Sequence, residues 1–206
     1  MEINIFVGRY RTVRQEFHDW RNSAETVQML MLAFIFACLT GLGAFMRVYT
    51  PLSPVPFTAQ VFFVLLSGTV LGSRYGGLSQ MMYVLLGVIG VPWFAGGAAG
   101  VEYVMGATGG YLVGFVLAAA LVGHLVNGNP RARTLPALLP IMLLGVLVIY
   151  GVGAAWLAIV LDLSAWQAIT LGVAPFIALD IAKALLAAGV GRLVTTRGPR
   201  VQARSA

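Results

Sequence analysis

Two charged residues of opposite sign lie close together in an apolar stretch near the end of the chain. The stretch from Ala174 to Ala188 reads APFIALDIAKALLAA, and its charged residues are Asp180 and Lys183. On a helix, residues three apart share a face, so the carboxylate and the ammonium can pair. A charge at the centre of a bilayer is costly unless it faces a partner, a cavity or a ligand. The pair is therefore the leading candidate for a ligand site. The alternative is an ion pair that only joins two helices.

Residue types that perform catalysis or bind metals are scarce. The chain has one cysteine, Cys38, and two histidines, His18 and His124, so neither a disulfide framework nor a zinc or haem site is expected. No serine stands at helical spacing from Lys183, and no phosphate-binding motif is present. The sequence therefore favours a binding protein over an enzyme and predicts no cofactor.

Two polar residues, Gln80 and Tyr83, lie three apart in another apolar stretch and share a helix face. A glutamine at membrane depth needs a hydrogen-bond partner, which is either a neighbouring backbone group or a ligand. Both residues are therefore candidates for the wall of a cavity that also holds Asp180 and Lys183. Such a cavity suits a small, largely apolar ligand with both hydrogen-bond donors and acceptors.

The segment 92–110 combines helix-breaking glycines with aromatic residues, among them Trp93 and Tyr103. Non-helical backbone near a membrane is tolerated where it is buried or lines a cavity. We expect this loop to dip over the pocket from the outer side, with Trp93 and Tyr103 as ligand contacts and Glu102 near water. An exposed, flexible outer loop is the alternative.

The composition of the chain indicates the elements that position these residues. Of 206 residues, 59% are hydrophobic and 10% are charged, which is too little polar surface for a soluble globule. Pro51, Pro54 and Pro56 make the segment before residue 57 a stiff outer loop. The apolar stretches predict an all-α integral membrane protein, a bundle of six transmembrane helices whose fifth member is scaffold. They run approximately over 27–46, 57–71, 76–95, 108–126, 135–161 and 169–190.

The net charge of +6 comes from arginines, and these are unevenly distributed along the chain. With six crossings, every arginine except Arg47 falls on one side, which the positive-inside rule identifies as the cytoplasm. This explains the basic character without a nucleic-acid partner and predicts two cytoplasmic termini. The chain divides into an amphipathic segment at the lipid interface, the membrane domain and a basic tail, at residues 1–26, 27–195 and 196–206.

Three stretches resemble the BioY family, the biotin-specific substrate-binding subunits, or S components, of energy-coupling factor transporters. They are PVPFTAQVFFVLLSGTVLGSRYGGLSQMMYVLLGVIGVPWFAGG from Pro54, GATGGYLVGF from Gly106 and APFIALDIAKALLAA from Ala174. With the six-span layout, the match covers nearly all of residues 27–195. Ala107 stands where the family usually has proline, and Glu102 adds a charge to a loop that is usually richer in glycine.

The resemblance implies that the protein binds biotin from the outer side of a bacterial cytoplasmic membrane. It would release biotin inward after joining a transmembrane coupling subunit and a pair of ATPases. In the family, the Asp-xx-Lys of the last helix contributes to the biotin site, which maps onto Asp180 and Lys183, and the third helix, with Gln80 and Tyr83, faces the ligand. Which group of biotin contacts each member of the pair stays open.

The resemblance also assigns a docking role to an Ala-xxx-Ala step on the first helix, here Ala33 and Ala37, which would contact the coupling subunit. From the residues alone this signal is weak, because the steps Gly110 to Gly114 and Ala184 to Ala188 match as well. Two other functions stay open. One is a solitary or homo-oligomeric biotin facilitator without ATPases, and the other is an S component for another small vitamin.

Overall fold

The computed structural model describes residues 16, 25–127, 132 and 134–195. Most of the predicted amphipathic segment, the basic tail and most of the arginines used to predict orientation lie outside these residues. From residue 25 onward the described chain is mainly helical. Its elements are α1 (Thr26–Phe45), β1 (Arg47–Val48), β2 (Phe57–Thr58), α2 (Gln60–Val88), α3 (Val101–Met105), α4 (Gly109–Asn127), α5 (Leu135–Val160), α6 (Ala165–Gly172), a 3-10 turn (Ala174–Phe176) and α7 (Ile177–Thr195).

The predicted character of a helical membrane protein is confirmed. Within the described residues, five segments are long and apolar enough to cross a membrane, where the sequence predicted six stretches. The difference arises in α2, which contains most of the second and most of the third predicted stretch. The five segments are Thr26–Phe45, Gln60–Val88, Gly109–Asn127, Leu135–Val160 and Ala165–Val194.

The element α2 folds back on itself at Gly72. This residue has φ 81° and ψ −176°, a conformation that residues with a Cβ rarely adopt. The Nε2 of Gln60 lies 2.8 Å from the hydroxyl of Tyr83, whereas a straight helix would separate these residues by about 35 Å. α2 is therefore a hairpin with arms 60–71 and 73–88, and the turn predicted between the two stretches centres on one glycine.

The proline-containing segment before α2 is not helical, as expected. Its end forms β2, which pairs antiparallel with β1, so that Arg47 lies opposite Thr58 and Val48 opposite Phe57. The sequence did not predict this short strand pair. Because Phe57 and Thr58 belong to it, the helix begins at Gln60 rather than at residue 57.

The last apolar stretch is not one continuous helix. α6 ends at Gly172, and α7 begins at Ile177 after the 3-10 turn. Pro175 in that turn has no backbone N–H, and its ring clashes with the preceding turn of an α-helix, so the interruption follows from the sequence. Asp180 consequently lies in the first turn of α7, where the helix dipole favours a negative charge.

Small residues allow close contacts between neighbouring helices. A Cβ built on Gly114 of α4 would lie 2.9 Å from the Cα of Ile149 in α5, so the two backbones meet there. Ala184 and Ala188 of α7 are fully buried in the main core, which α2, α4, α5 and α7 share. The small-residue steps on α4 and α7 are therefore packing surfaces.

Candidate functional site

The predicted pair of Asp180 and Lys183 forms in the structure. The Nζ of Lys183 lies 2.6 Å from Oδ1 of Asp180, and Tyr150 of α5 donates a hydrogen bond of 2.8 Å to Oδ2. Asp180 is 2% exposed, and a buried carboxylate requires such partners. The pairing predicted from the spacing is confirmed, and Tyr150 joins it to a second helix.

This cluster lines a cavity that is partly open to solvent. Aromatic and aliphatic walls come from Leu112, Phe115, Ile149 and Phe176. Polar groups come from Thr58, Gln60, Tyr103, Thr108, Tyr111, Tyr150, Asp180 and Lys183. The cavity can therefore bury an apolar ligand while a few polar groups fix its orientation.

The segment 92–110, hereafter the cover, contributes to this cavity, as the sequence predicts. Tyr103 and Thr108 line it, and the ring of Tyr103 stacks on Phe94 with centroids 4.8 Å apart. Burial raises the pKa of Tyr103, so its phenol stays protonated at neutral pH and can donate a hydrogen bond. Glu102 is exposed, as expected.

Tyr83 and Trp93 do not line this cavity. The hydroxyl of Tyr83 accepts a hydrogen bond from Gln60 and donates one of 3.3 Å to the carbonyl of Trp93. The indole Nε1 of Trp93 donates in turn to the carbonyl of Tyr83 at 3.0 Å. These bonds fasten the cover to the second arm of α2. A direct ligand contact by Tyr83 or Trp93 stays a prediction.

Gln80 also lies away from the cavity and is fully buried. Its Oε1 accepts a hydrogen bond of 3.2 Å from Thr40, and its Nε2 donates to the hydroxyls of Ser67 and Ser79 at 3.1 and 3.0 Å. These bonds join α1 to both arms of α2. A ligand contact by Gln80 stays a prediction, and some of these bonds would have to break for it.

Ala33 and Ala37 do not lie on an exposed face of α1. Both are fully buried, and Ala33 packs in a cluster with Leu66 and Val70 of α2. In this structure the Ala-xxx-Ala step lets α1 approach α2 closely. A docking role for the step, which stays a prediction, would require α1 to move relative to α2.

Reasoning from the sequence did not single out five polar residues of the cavity wall, which are Thr58, Gln60, Thr108, Tyr111 and Tyr150. Tyr150 lies in the stretch interpreted as scaffold, although the rule that drew attention to Gln80 applies to it equally. A polar group at membrane depth needs a partner. No spacing connects Gln60 with Asp180, because their proximity depends on how α2 packs against α7. The same rule applies to Gln60 within the predicted stretch 57–71, but the sequence contains no signal that Gln60 and Asp180 line one cavity.

Arg47 brings a further positive charge close to the cover. Its Cζ lies 5.6 Å from the ring centroid of Tyr49 and would lie 3.9 Å from a Cβ built on Gly96. Its charge is near enough to Tyr103 to oppose the rise in the pKa of that residue. An anionic ligand would therefore meet a second cation near the cavity besides Lys183.

Apolar helices around a cavity with a buried ion pair and aromatic walls define a membrane protein that can hold a small solute. A family model described as the BioY family matches residues 15–200 of the chain. The chain belongs to this family, and the resemblance seen in the sequence is confirmed.

Relatives agree with this assignment. The probable biotin transporter BioY of Pyrococcus horikoshii is 42% identical over 156 residues, which cover 76% of this chain and 89% of the relative. The biotin transporter BioY of Thermotoga maritima is 40% identical over 163 residues, which cover 79% and 92%. Because the family and these relatives are transporters, the expectation that the chain is not an enzyme is confirmed.

A solved structure is similar over most of the fold. It is the crystal structure of the S-component for biotin from an ECF-type ABC transporter. The match has a TM-score of 0.74 and 26% sequence identity, and it covers 81% of this chain and 89% of that chain. The helical arrangement described above is thus shared with an experimentally determined membrane transport component.

Proposed function

We propose that this chain is the biotin-binding subunit of an energy-coupling factor transporter in a bacterial cytoplasmic membrane. Its relatives are named as biotin transporters, and the similar solved structure is an S-component for biotin. The observation that carries the proposal is the cluster of Asp180, Lys183 and Tyr150 in the wall of an otherwise largely apolar cavity.

The chemistry of biotin suits this cavity. Biotin has a cyclic urea at one end and a carboxylate at the other, with one sulfur-containing ring and an alkyl chain between them. Asp180 accepts one hydrogen bond from Lys183 and one from Tyr150, and a carboxylate can accept about four, so it has capacity for urea N–H groups. Lys183 has further N–H donors for the urea oxygen or the carboxylate. Arg47 would attract the carboxylate.

The other predicted site residues take part at different distances from the ligand. Tyr103 lines the cavity and offers a hydroxyl from the cover. Tyr83 and Trp93 contribute to ligand binding through the cover, which their hydrogen bonds hold in place. Gln80 acts through the hairpin that its hydrogen bonds connect to α1.

In this proposal the two arms of α2 are separate crossings, so the membrane domain has six. The others are α1, α4, α5 and the broken segment of α6 and α7. An even number of crossings puts both termini on one side, and the arginines near both ends assign that side to the cytoplasm. The cover then faces outward, where biotin would enter.

Release of biotin to the inside requires partners in this proposal. The sequence contains no phosphate-binding motif that could provide ATP hydrolysis. A transmembrane coupling subunit and a pair of ATPases would supply it, and Ala33 and Ala37 are the proposed docking step. Uptake that persists in cells without those subunits would instead indicate a solitary or homo-oligomeric facilitator.

The first experiment is a calorimetric titration of the purified, detergent-solubilised protein with biotin. Thiamine and riboflavin serve as control ligands. Tight one-to-one binding of biotin, without binding of the other two, is the expected result. Absence of biotin binding in a folded sample would contradict the proposal, and binding of another vitamin would identify an S component of different specificity.

A further inference from the structure

The side-chain amide of Gln60 has a fixed orientation in the cavity wall. Its Nε2 donates a hydrogen bond of 2.8 Å to the hydroxyl of Tyr83, and its Oε1 accepts one of 3.1 Å from Thr58. The hydroxyl of Tyr83 donates its own proton to the carbonyl of Trp93 at 3.3 Å. If the two ends of the amide were exchanged, its oxygen would face the Tyr83 hydroxyl. That hydroxyl would then donate its proton to Gln60 and not to the carbonyl of Trp93. The Tyr83 hydroxyl therefore defines which end of Gln60 is the donor.

Each end of this amide keeps unused hydrogen-bonding capacity. An amide NH₂ group has two donors and an amide oxygen has two lone pairs, and Tyr83 and Thr58 use one of each. Gln60 lines the cavity and is only 5% exposed, so bulk water does not satisfy the remainder. One donor and one acceptor of this planar group thus remain available.

A cyclic urea has the complementary arrangement, because its carbonyl oxygen accepts next to an N–H that donates. We propose that Gln60 recognises the urea ring of the ligand and that Tyr83 is the residue that positions Gln60. The amide N–H donates to the urea oxygen, and the amide oxygen accepts from a urea N–H. This inference rests on the proposed function, since it concerns recognition of the urea group of biotin by the cavity.

The role of Gln60 differs from that of the charged pair. Asp180 and Lys183 strengthen binding through charge-assisted hydrogen bonds. A neutral amide of fixed orientation instead discriminates between ligands, because a ligand with the wrong donor or acceptor leaves a buried polar group unpaired. Since Tyr83 takes its own orientation from the carbonyl of Trp93, recognition of the urea is linked to the position of the cover.

The test compares biotin with 2-thiobiotin, in which sulfur, a weak acceptor, replaces the urea oxygen. The full-length protein in detergent is titrated with each, and the ratio of the two dissociation constants is measured. We expect the wild type to prefer biotin by about tenfold or more, as for the loss of a buried hydrogen bond. Gln60→Leu should reduce this preference to about twofold or less.

Tyr83→Phe tests the positioning role. It should reduce the preference for biotin in the wild-type background, because Gln60 then loses the partner that fixes its orientation. In the Gln60→Leu background it should have no further effect on the preference. Tyr75→Phe makes the same substitution elsewhere on α2, at a residue that does not line the cavity, and should retain the wild-type preference.

Three results would overturn the inference, and they can be told apart. A Gln60→Leu variant with the wild-type preference contradicts recognition by Gln60 and leaves the proposed function intact. An equal effect of Tyr83→Phe in both backgrounds contradicts the positioning role. A folded wild type that does not bind biotin contradicts the proposed function and this inference with it. Because the preference is a ratio measured on one sample, a general loss of stability does not imitate the expected result.

Discussion

Tyr150 donates a hydrogen bond of 2.8 Å to Oδ2 of Asp180, and this bond connects the middle of α5 to the first turn of α7. Asp180 is therefore held from two directions, by Tyr150 and by Lys183 on its own helix. The described helix α5 contributes no charged residue of its own. Even so, it helps to fix where the buried carboxylate presents its remaining lone pairs.

Removal of the Tyr150 hydroxyl should weaken ligand binding. In Tyr150→Phe, Asp180 loses one of its two partners while Lys183 remains, so we expect the dissociation constant for biotin to rise about three- to tenfold. Calorimetric titration measures it, and Tyr75→Phe is the matched control that should keep wild-type affinity. Wild-type affinity in Tyr150→Phe would show that the hydroxyl serves the fold and not the ligand.

Removing either member of the pair should reduce affinity for biotin by more than about tenfold. Asp180→Ala and Lys183→Ala each remove a ligand contact and leave the other charge without its partner. The double variant separates the two interpretations of the pair. It leaves no unpaired charge, so the melting temperature should recover toward wild type while binding stays lost. Recovery of both properties would mean that the pair only joins parts of the fold.

Features that depend on composition and on proline or glycine could be predicted from the sequence. The apolar stretches coincide with helices because each needs about twenty residues without charge to cross a bilayer. The non-helical segment before Gln60 follows from its prolines, and pairing of Asp180 with Lys183 follows from helical spacing. These predictions rest on local chemistry and require no knowledge of the tertiary arrangement.

The direction in which a helix face points could not be predicted in the same way. Gln80 and Tyr83 share a face by spacing, yet Gln80 bonds to Thr40 of α1 while Tyr83 bonds to Gln60 and the cover. Which neighbour each residue meets depends on the rotation and depth of the helix, and tertiary packing sets both. The same limit applies to Ala33, whose burial against α2 cannot be read from a small-residue step.

Gln80 can be tested as part of the scaffold. Gln80→Leu leaves the hydroxyls of Thr40, Ser67 and Ser79 without this partner, so we expect destabilisation by about 1–3 kcal/mol. Thermal unfolding in detergent measures the loss, and the ratio of affinities for biotin and 2-thiobiotin should stay at the wild-type value. A changed ratio would support the prediction that Gln80 contacts the ligand directly.

Substitution of the Ala-xxx-Ala step by tryptophan tests whether it docks a partner or packs α1. Ala33 and Ala37 are fully buried, so Ala33→Trp and Ala37→Trp should lower the melting temperature by overpacking. Phe34→Trp, at a residue 49% exposed, is the matched control and should unfold like wild type. If both variants keep wild-type stability and biotin affinity but lose ATP-dependent uptake in cells, the docking role is supported and the packing role is contradicted.

The reversal at Gly72 should tolerate no side chain. The backbone at position 72 has φ 81° and ψ −176°, a conformation that costs residues other than glycine about 1–3 kcal/mol. A Cβ built there would also contact the side chain of Asn127. We expect Gly72→Ala to lower the melting temperature and to weaken biotin binding, because the hairpin turn brings Gln60 to Tyr83.

Gly151→Ala is the matched control, since Gly151 is exposed within α5 and has nothing within 4 Å of a built Cβ. That control should be neutral or stabilising by about 0.5–1 kcal/mol. Equal stability of Gly72→Ala and the wild type would mean that the two arms of α2 do not depend on a left-handed residue at their turn.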